Sequence, residues 1–271
     1  METLRYLAGD SFLGRRDPRV LILVAALTIV VVAQVQDVRL MAVAAVVALV
    51  YYLSAGIPFA AVRANWLFVG VFVLLLAGLN GVIAGAQQYA GVATELFTIP
   101  GIGVAVTTAT VSYTVTMLLR FLAIAATGFP LSFAIRPGDL SVAFARLGVP
   151  SRFAYGIDLT FRFIPTLAAN LRETTAAQRL RGYEAGNTRN PLHRISRLRP
   201  LIVPVTVSAF VDAEDVADAL DLRGFGSQRR TWLRTLQFRT PDLILLGFWT
   251  AATVLATAAS VTGHMPGLWF G

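Results

Sequence analysis

Ala177-Gln178-Arg179-Leu180-Arg181-Gly182 and, 42 residues further on, Ala219-Leu220-Asp221-Leu222-Arg223-Gly224 are two echoes of one pattern. Each closes a stretch that reads as a helix rich in small residues, and each ends in Leu-Arg-Gly. Glycine just past the last helical residue is a common helix stop, because it takes the left-handed backbone conformation without a Cβ penalty. The preceding arginine then sits on a helix tip, against the negative end of the helix dipole. Either tip alone could be an ordinary helix C-terminus with a cationic last turn. Two of them in one apolar chain predict two equivalent docking points for a partner with two similar sockets.

Outward from these tips, the charge pattern sets the frame. All 23 basic residues are arginine, and the net charge is +8. Sixteen of them lie between Arg136 and Arg239, and four more lie in the first 19 residues. Hydrophobic residues make up 56% of the 271. Several apolar runs approach the roughly 20 residues that a helix needs to cross about 30 Å of hydrocarbon. In such a chain, clustered arginines mark the cytoplasmic side of the membrane and not a nucleic-acid site. With no cysteine there is neither a disulfide framework nor thiolate chemistry.

Asp17-Pro18 introduces a first apolar run at residues 20–33; the aspartate can cap and the proline suits a first helical turn. The arginines before this run resemble a signal-peptide layout, but no small-residue cleavage site closes it, so it is read as a retained span. A turn at Gln36-Asp37 leads to a second run, 40–55, ended by Gly56 and Pro58. A third covers 66–84, with Arg63 on the N-terminal side and Trp66 placed as an interfacial aromatic. Residues 85–98 carry no arginine and read as an external loop, and 97–104 as a small hairpin or re-entrant piece. The run at 105–133 contains Arg120, which must face protein or water because an arginine facing lipid costs several kcal/mol. A structural hydrogen bond to a neighbouring helix is the favoured reading of it.

From Arg136 the character changes. A turn, a short amphipathic helix at 140–147 and a second turn precede a long helix at 152–181, bent at Pro165. Asp158 and Arg162, four apart on that helix, are placed to pair. The segment 183–200 reads as a polar connector, and a second long helix as 201–223, with Pro204 in its first turns. Along this helix Ala209, Ala213, Val216, Ala217 and Leu220 fall on one side, and Glu214, Asp215, Asp218 and Asp221 on the other. Pro241-Asp242 opens a last apolar run at 243–261.

These readings predict an all-α integral membrane protein with about five transmembrane helices and a helical domain inserted before the last span. The predicted division is 1–135 for the N-terminal spans, 136–240 for a cytoplasmic, membrane-resting domain, and 241–271 for the last span and tail. Arginine placement puts the N-terminus in the cytoplasm and the C-terminus outside.

Catalysis finds little support. Asp212, Glu214, Asp215, Asp218 and Asp221 could be imagined as the divalent-metal site of a membrane-embedded transferase. They lie along one helix, and a solvated helix face accounts for them. His193 and His264 are predicted on opposite sides of the membrane. A chain without lysine cannot carry the phosphate-binding Gly-x-x-x-x-Gly-Lys loop.

The order of motifs resembles the transmembrane T component of energy-coupling factor transporters, the EcfT/CbiQ/BioN family. The resemblance rests on the paired Leu-Arg-Gly tips, on Ser11-Phe12-Leu13-Gly14-Arg15-Arg16-Asp17-Pro18-Arg19, on the turn and short helix ending in Leu147-Gly148-Val149-Pro150, and on Arg162-Phe163-Ile164-Pro165. Family members carry two cytoplasmic coupling helices with Ala-Arg-Gly-like signatures; here leucine replaces alanine at Leu180 and Leu222. The resemblance implies a non-enzymatic, multi-pass cell-membrane subunit for vitamin or metal-ion uptake. Its implied partners are two ABC ATPases, which carry the ATP and magnesium, a substrate-binding membrane S component, and lipid. No cofactor is implied for the chain itself. The implied ATPase-binding residues are Ala177, Gln178, Leu180, Arg181 and Gly182 with Ala219, Leu222, Arg223 and Gly224. Neither the substrate nor sharing among S components, as against dedication to one for cobalt, nickel or biotin, is legible in the residues.

Overall fold

The computed structural model describes residues 11–88, 95–98, 105–183, 191–227 and 236–263. The chain forms two compact units, Met1–Arg136 with Leu236–Gly271, and Pro137–Thr235.

The first unit holds α1 (Pro18–Gln34), α2 (Val38–Ser54), α3 (Phe59–Gln88), α4 (Thr108–Ala134) and α8 (Thr240–Val261). Aspartates start the first two helices. Asp17 accepts from the Arg19 backbone N–H, and Asp37 from those of Arg39 and Leu40, so the first orphan donors of each helix are satisfied. Gly56, with φ of 62°, turns the chain after α2. Most of the stretch read as a small hairpin or re-entrant piece, 99–104, lies outside the described residues; the segments flanking it, β1 (Glu95–Thr98) and β2 (Ala105–Thr107), pair antiparallel. Thr107 and Thr110 then form a reciprocal capping box at the start of α4.

Helices α2 and α3 pack on α4, and α1 packs on both α4 and α8. Their contacts use small residues, Ala45 and Ala48 on α2 and Ala123 and Ala126 on α4, all buried in one apolar cluster. Small side chains let helix backbones approach closely where lipid supplies no hydrophobic drive. Outward, the unit is apolar: Leu67, Phe68 and Leu255 are each 70% exposed. A surface of that kind suits hydrocarbon, not water. Three helical stretches, Val62–Leu79, Thr110–Ala134 and Thr240–Val261, are long and apolar enough to cross a membrane, and the apolar α1 and α2 have 17 residues each.

One boundary shifts here: the third helix begins at Phe59, ahead of the apolar run read from 66, so Arg63 lies on its exposed second turn. Trp66 is half-buried and packs edge-on against Tyr52 and Phe129, with ring centroids 5.4 and 5.0 Å away. It therefore pins α2, α3 and α4 together, donating from Nε1 to the Tyr52 hydroxyl at 3.2 Å.

The second unit holds α5 (Pro137–Arg146), α6 (Ser151–Leu180) and α7 (Pro191–Leu222). Val142, Ala143 and Ala154 are buried where α5 packs on α6. Helix α6 runs through Pro165, and α7 starts at Pro191, ten residues before the expected 201, and runs through both Pro200 and Pro204. Each proline removes one intrahelical donor. Because these two are four apart, both gaps fall on one face and the hydrogen-bond ladder continues on the other. Among the described residues, Asp158 is not paired with Arg162; its Oδ1 lies 3.9 Å from where a Cβ on Gly138 would stand.

Candidate docking site

Both helix tips are built by the same backbone device. After α6, Gly182 takes φ of 82°; its N–H donates to the Arg179 carbonyl at 3.0 Å, and the Tyr183 N–H to the Gln178 carbonyl at 2.9 Å. After α7, Gly224 takes φ of 62°; its N–H donates to the Asp221 carbonyl at 2.8 Å, and the Phe225 N–H to the Leu220 carbonyl at 2.9 Å. This pair of bonds, one closing six residues and one nested inside it, is the Schellman cap. It requires a residue that tolerates positive φ, which is why glycine occupies both positions. An aromatic residue follows each glycine, Tyr183 in one tip and Phe225 in the other. Phe225 packs on Tyr155 of α6, with ring centroids 4.7 Å apart.

The caps fix what the tips present. Leu180 is 91% exposed and Leu222 is 90% exposed, more than any other large apolar side chain among the described residues. Arg181 and Arg223 are exposed beside them, as are Ala177, Ala219 and Gly182, whereas Gln178 and Gly224 are half-exposed. Leucine in place of alanine therefore adds apolar surface that points away from the chain.

The two helices touch one another at equivalent positions. Asn170 Nδ2 on α6 donates to Asp212 Oδ2 on α7 at 3.3 Å, and these residues are separated by the same 42 positions as the tips. It also reaches Ser208 Oγ at 3.5 Å. The apolar groove beside this contact keeps the repeat, with Leu167, Ala168 and Leu171 from one helix and Ala209, Phe210 and Ala213 from the other. Each helix then continues the same distance, from 170 to Leu180 and from 212 to Leu222, about 15 Å at 1.5 Å per residue. The repeat noted in the tips thus extends back to the helix contact.

The acidic side chains of α7 do not gather into a cavity. Asp212 is held by Asn170, while Glu214, Asp215, Asp218 and Asp221 are exposed. Among the described residues no group of three or more acidic, histidine or cysteine side chains is placed to hold a metal ion. His264, Arg229 and Arg230 lie outside the described residues.

In the first unit the structure shows a charged cluster that the sequence reading missed. Arg19 grips Asp17 with two guanidinium nitrogens, at 3.0 and 2.6 Å, stacks over Phe238 at 4.0 Å and donates to the Leu236 carbonyl. Arg16 lies 3.8 Å from Asp242, a fully buried carboxylate that also caps α8 by accepting from the Arg239 N–H. The feet of α1 and α8 are thereby tied. The signal was present in the two proline-aspartate pairs, Asp17-Pro18 and Pro241-Asp242, but each aspartate's distant partner was not. Arg120 has the structural role anticipated for it: its Nη2 donates to the Val35 carbonyl at 2.7 Å, at the C-terminal end of α1.

Comparison with known proteins identifies the family of the chain. A family model described as cobalt transport protein, CbiQ, matches residues 9–233. The chain is 32% identical over 166 residues to the energy-coupling factor transporter transmembrane protein EcfT of Limosilactobacillus fermentum, covering 58% of this chain and 62% of that one. It is 34% identical over 137 residues to the protein of that name from Staphylococcus aureus, covering 47% and 51%. These alignments span between half and two thirds of those relatives. The protein of that name from Bacillus selenitireducens is 26% identical over 268 residues, covering 93% of this chain and 95% of that one. With 225 consecutive residues matched by the family model, this chain belongs to the CbiQ family, the transmembrane T components of energy-coupling factor transporters.

Proposed function

We propose that this protein is the coupling subunit of an importer, and that its two helix tips dock two cytosolic ABC ATPases. The observation that carries this reading is the pair of identically capped tips, each presenting an outward leucine beside an exposed arginine. Burying each leucine in a socket supplies about 1.5–3 kcal/mol. The arginine adds direction, because its planar fork can hold a socket carboxylate through two parallel hydrogen bonds.

In this reading, ATP and magnesium belong to the ATPases, and the chain performs no chemistry. Closure of the ATPases moves the sockets, the capped tips follow, and α6 and α7 carry the displacement toward a membrane S component that captures a vitamin or metal ion. A Schellman cap suits such a lever, because it holds the arginine on the helix itself and not on a loose tail. The five apolar helices span the cell membrane, with the N-terminus and the second unit cytoplasmic and the C-terminus external.

Purification of the tagged full chain from its native membranes tests the reading. Two ABC ATPase chains and a small apolar membrane protein are expected to come with it in fixed ratio. A chain that purifies without any ATPase would overturn it.

A further inference from the structure

The two tips share a backbone but not a charge. Compared at the 42-residue offset, Arg172 corresponds to Glu214 and Arg179 to Asp221, so two positions reverse sign. From 170 to Gly182 the charged residues are Arg172, Glu173, Arg179 and Arg181, a net +2. From 212 to Gly224 they are Asp212, Glu214, Asp215, Asp218, Asp221 and Arg223, a net −4. All of these side chains except Asp212 are exposed. Among the described residues, Arg172 and Arg179 are paired with no carboxylate, and Glu214 and Asp221 with no cation.

The reversal is placed where a socket would meet it. Arg179 and Asp221 are the residues just before Leu180 and Leu222, and the backbone carbonyl of each accepts the glycine N–H of its cap. Equivalent side chains of opposite sign therefore leave the helix at the same point of the same motif. Two identical sockets could not complement both, since one of the two would meet like charge, and like charge at an interface costs several kcal/mol.

We propose that the tips are charge-sorted: the socket that receives Leu180 is acidic, the socket that receives Leu222 is basic, and the chain therefore sits on its ATPase pair in one orientation. This rests on the docking reading above and adds to it which tip goes where. The shared Leu-Arg-Gly element supplies the grip, and the flanking charge supplies the choice.

The test uses the full complex purified with its ATPases. With the photocrosslinker p-benzoylphenylalanine in place of Leu180 or of Leu222, the crosslinked ATPase peptides are sequenced. The Leu180 position is expected to capture a net acidic surface and the Leu222 position a net basic one. Independently, Arg179→Asp makes both tips acidic at this point, and Asp221→Arg makes both basic. Each reversal is expected to lower ATPase retention about tenfold at low salt, with the difference largely lost near 1 M, where the Debye length is about 3 Å. Crosslinks from both tips to one and the same peptide, or to surfaces of the same sign, would overturn the charge sorting and leave the docking reading intact. So would reversals that leave retention unchanged at low salt. A complex that contains no ATPase at all would overturn the docking reading and the charge sorting with it.

Discussion

Gly182 and Gly224 separate two costs that a single alanine substitution usually merges. Both hold positive φ, so a Cβ strains either cap by about 1–2 kcal/mol. At Gly182 the Cβ would meet nothing within 4 Å, whereas at Gly224 it would stand 3.0 Å from the Ser227 hydroxyl, which donates to the Gly224 carbonyl. Gly224→Ala is therefore expected to lower the thermal midpoint of the purified chain more than Gly182→Ala. Equal shifts would mean that Ser227 yields without cost. A second residue-scale expectation concerns Arg120. Arg120→Leu keeps the apolar surroundings but leaves the Val35 carbonyl without this donor, a loss of about 1–3 kcal/mol for a buried acceptor. Thermal unfolding in detergent reads it, and an unchanged midpoint would contradict the capping role. That Arg120 must face inward was legible from its place in an apolar run; that its acceptor is the end of α1 was not, because periodicity says nothing about which helix lies opposite.

At the scale of the element, the helix starts were easier to read than their partners. Asp17 before Pro18 announces a capped first turn, and the structure builds it. The grip of Arg19 on Asp17 and its donation to the Leu236 carbonyl join residues 217 positions apart, which no local pattern encodes. Asp17→Ala is expected to cost about 1 kcal/mol for the lost cap. It should cost more in total, since Arg19 is also left beside α8 without its carboxylate, and Asp17→Asn should restore the cap and only part of the rest. Midpoints ranked wild type, Asn, Ala would support this; equal values for Asn and Ala would not. Helix α7 is the opposite case. Pro200 closes the stretch read as a polar connector, so the helix was expected from 201 with Pro204 in its first turns, yet it begins at Pro191. Proline penalties apply to individual donors, and an amphipathic helix with both gaps on one face can outweigh them.

For the whole molecule, the arginines carry most of what the sequence tells. Their segregation predicts a reporter fused after His193 to behave as cytoplasmic and one fused after Gly271 as external. Both on one side would rule out five spans. The paired tips were legible because a glycine stop and its preceding residues form a local motif. The equal reach of the two helices from Asn170 and Asp212 needed the fold, since only packing shows where α6 meets α7. The central claim, that Arg181 and Arg223 couple two ATPases to transport, is tested most directly by uptake and ATPase activity measured side by side on the assembled complex. Either alanine variant should insert normally and hydrolyse ATP with reduced uptake. The Arg181→Ala/Arg223→Ala chain should lose more than either, because two tethered contacts reinforce each other through effective concentration. Lysine at either position should rescue in part, keeping charge without the fork. A double alanine variant that assembles and transports like the parent would contradict the account.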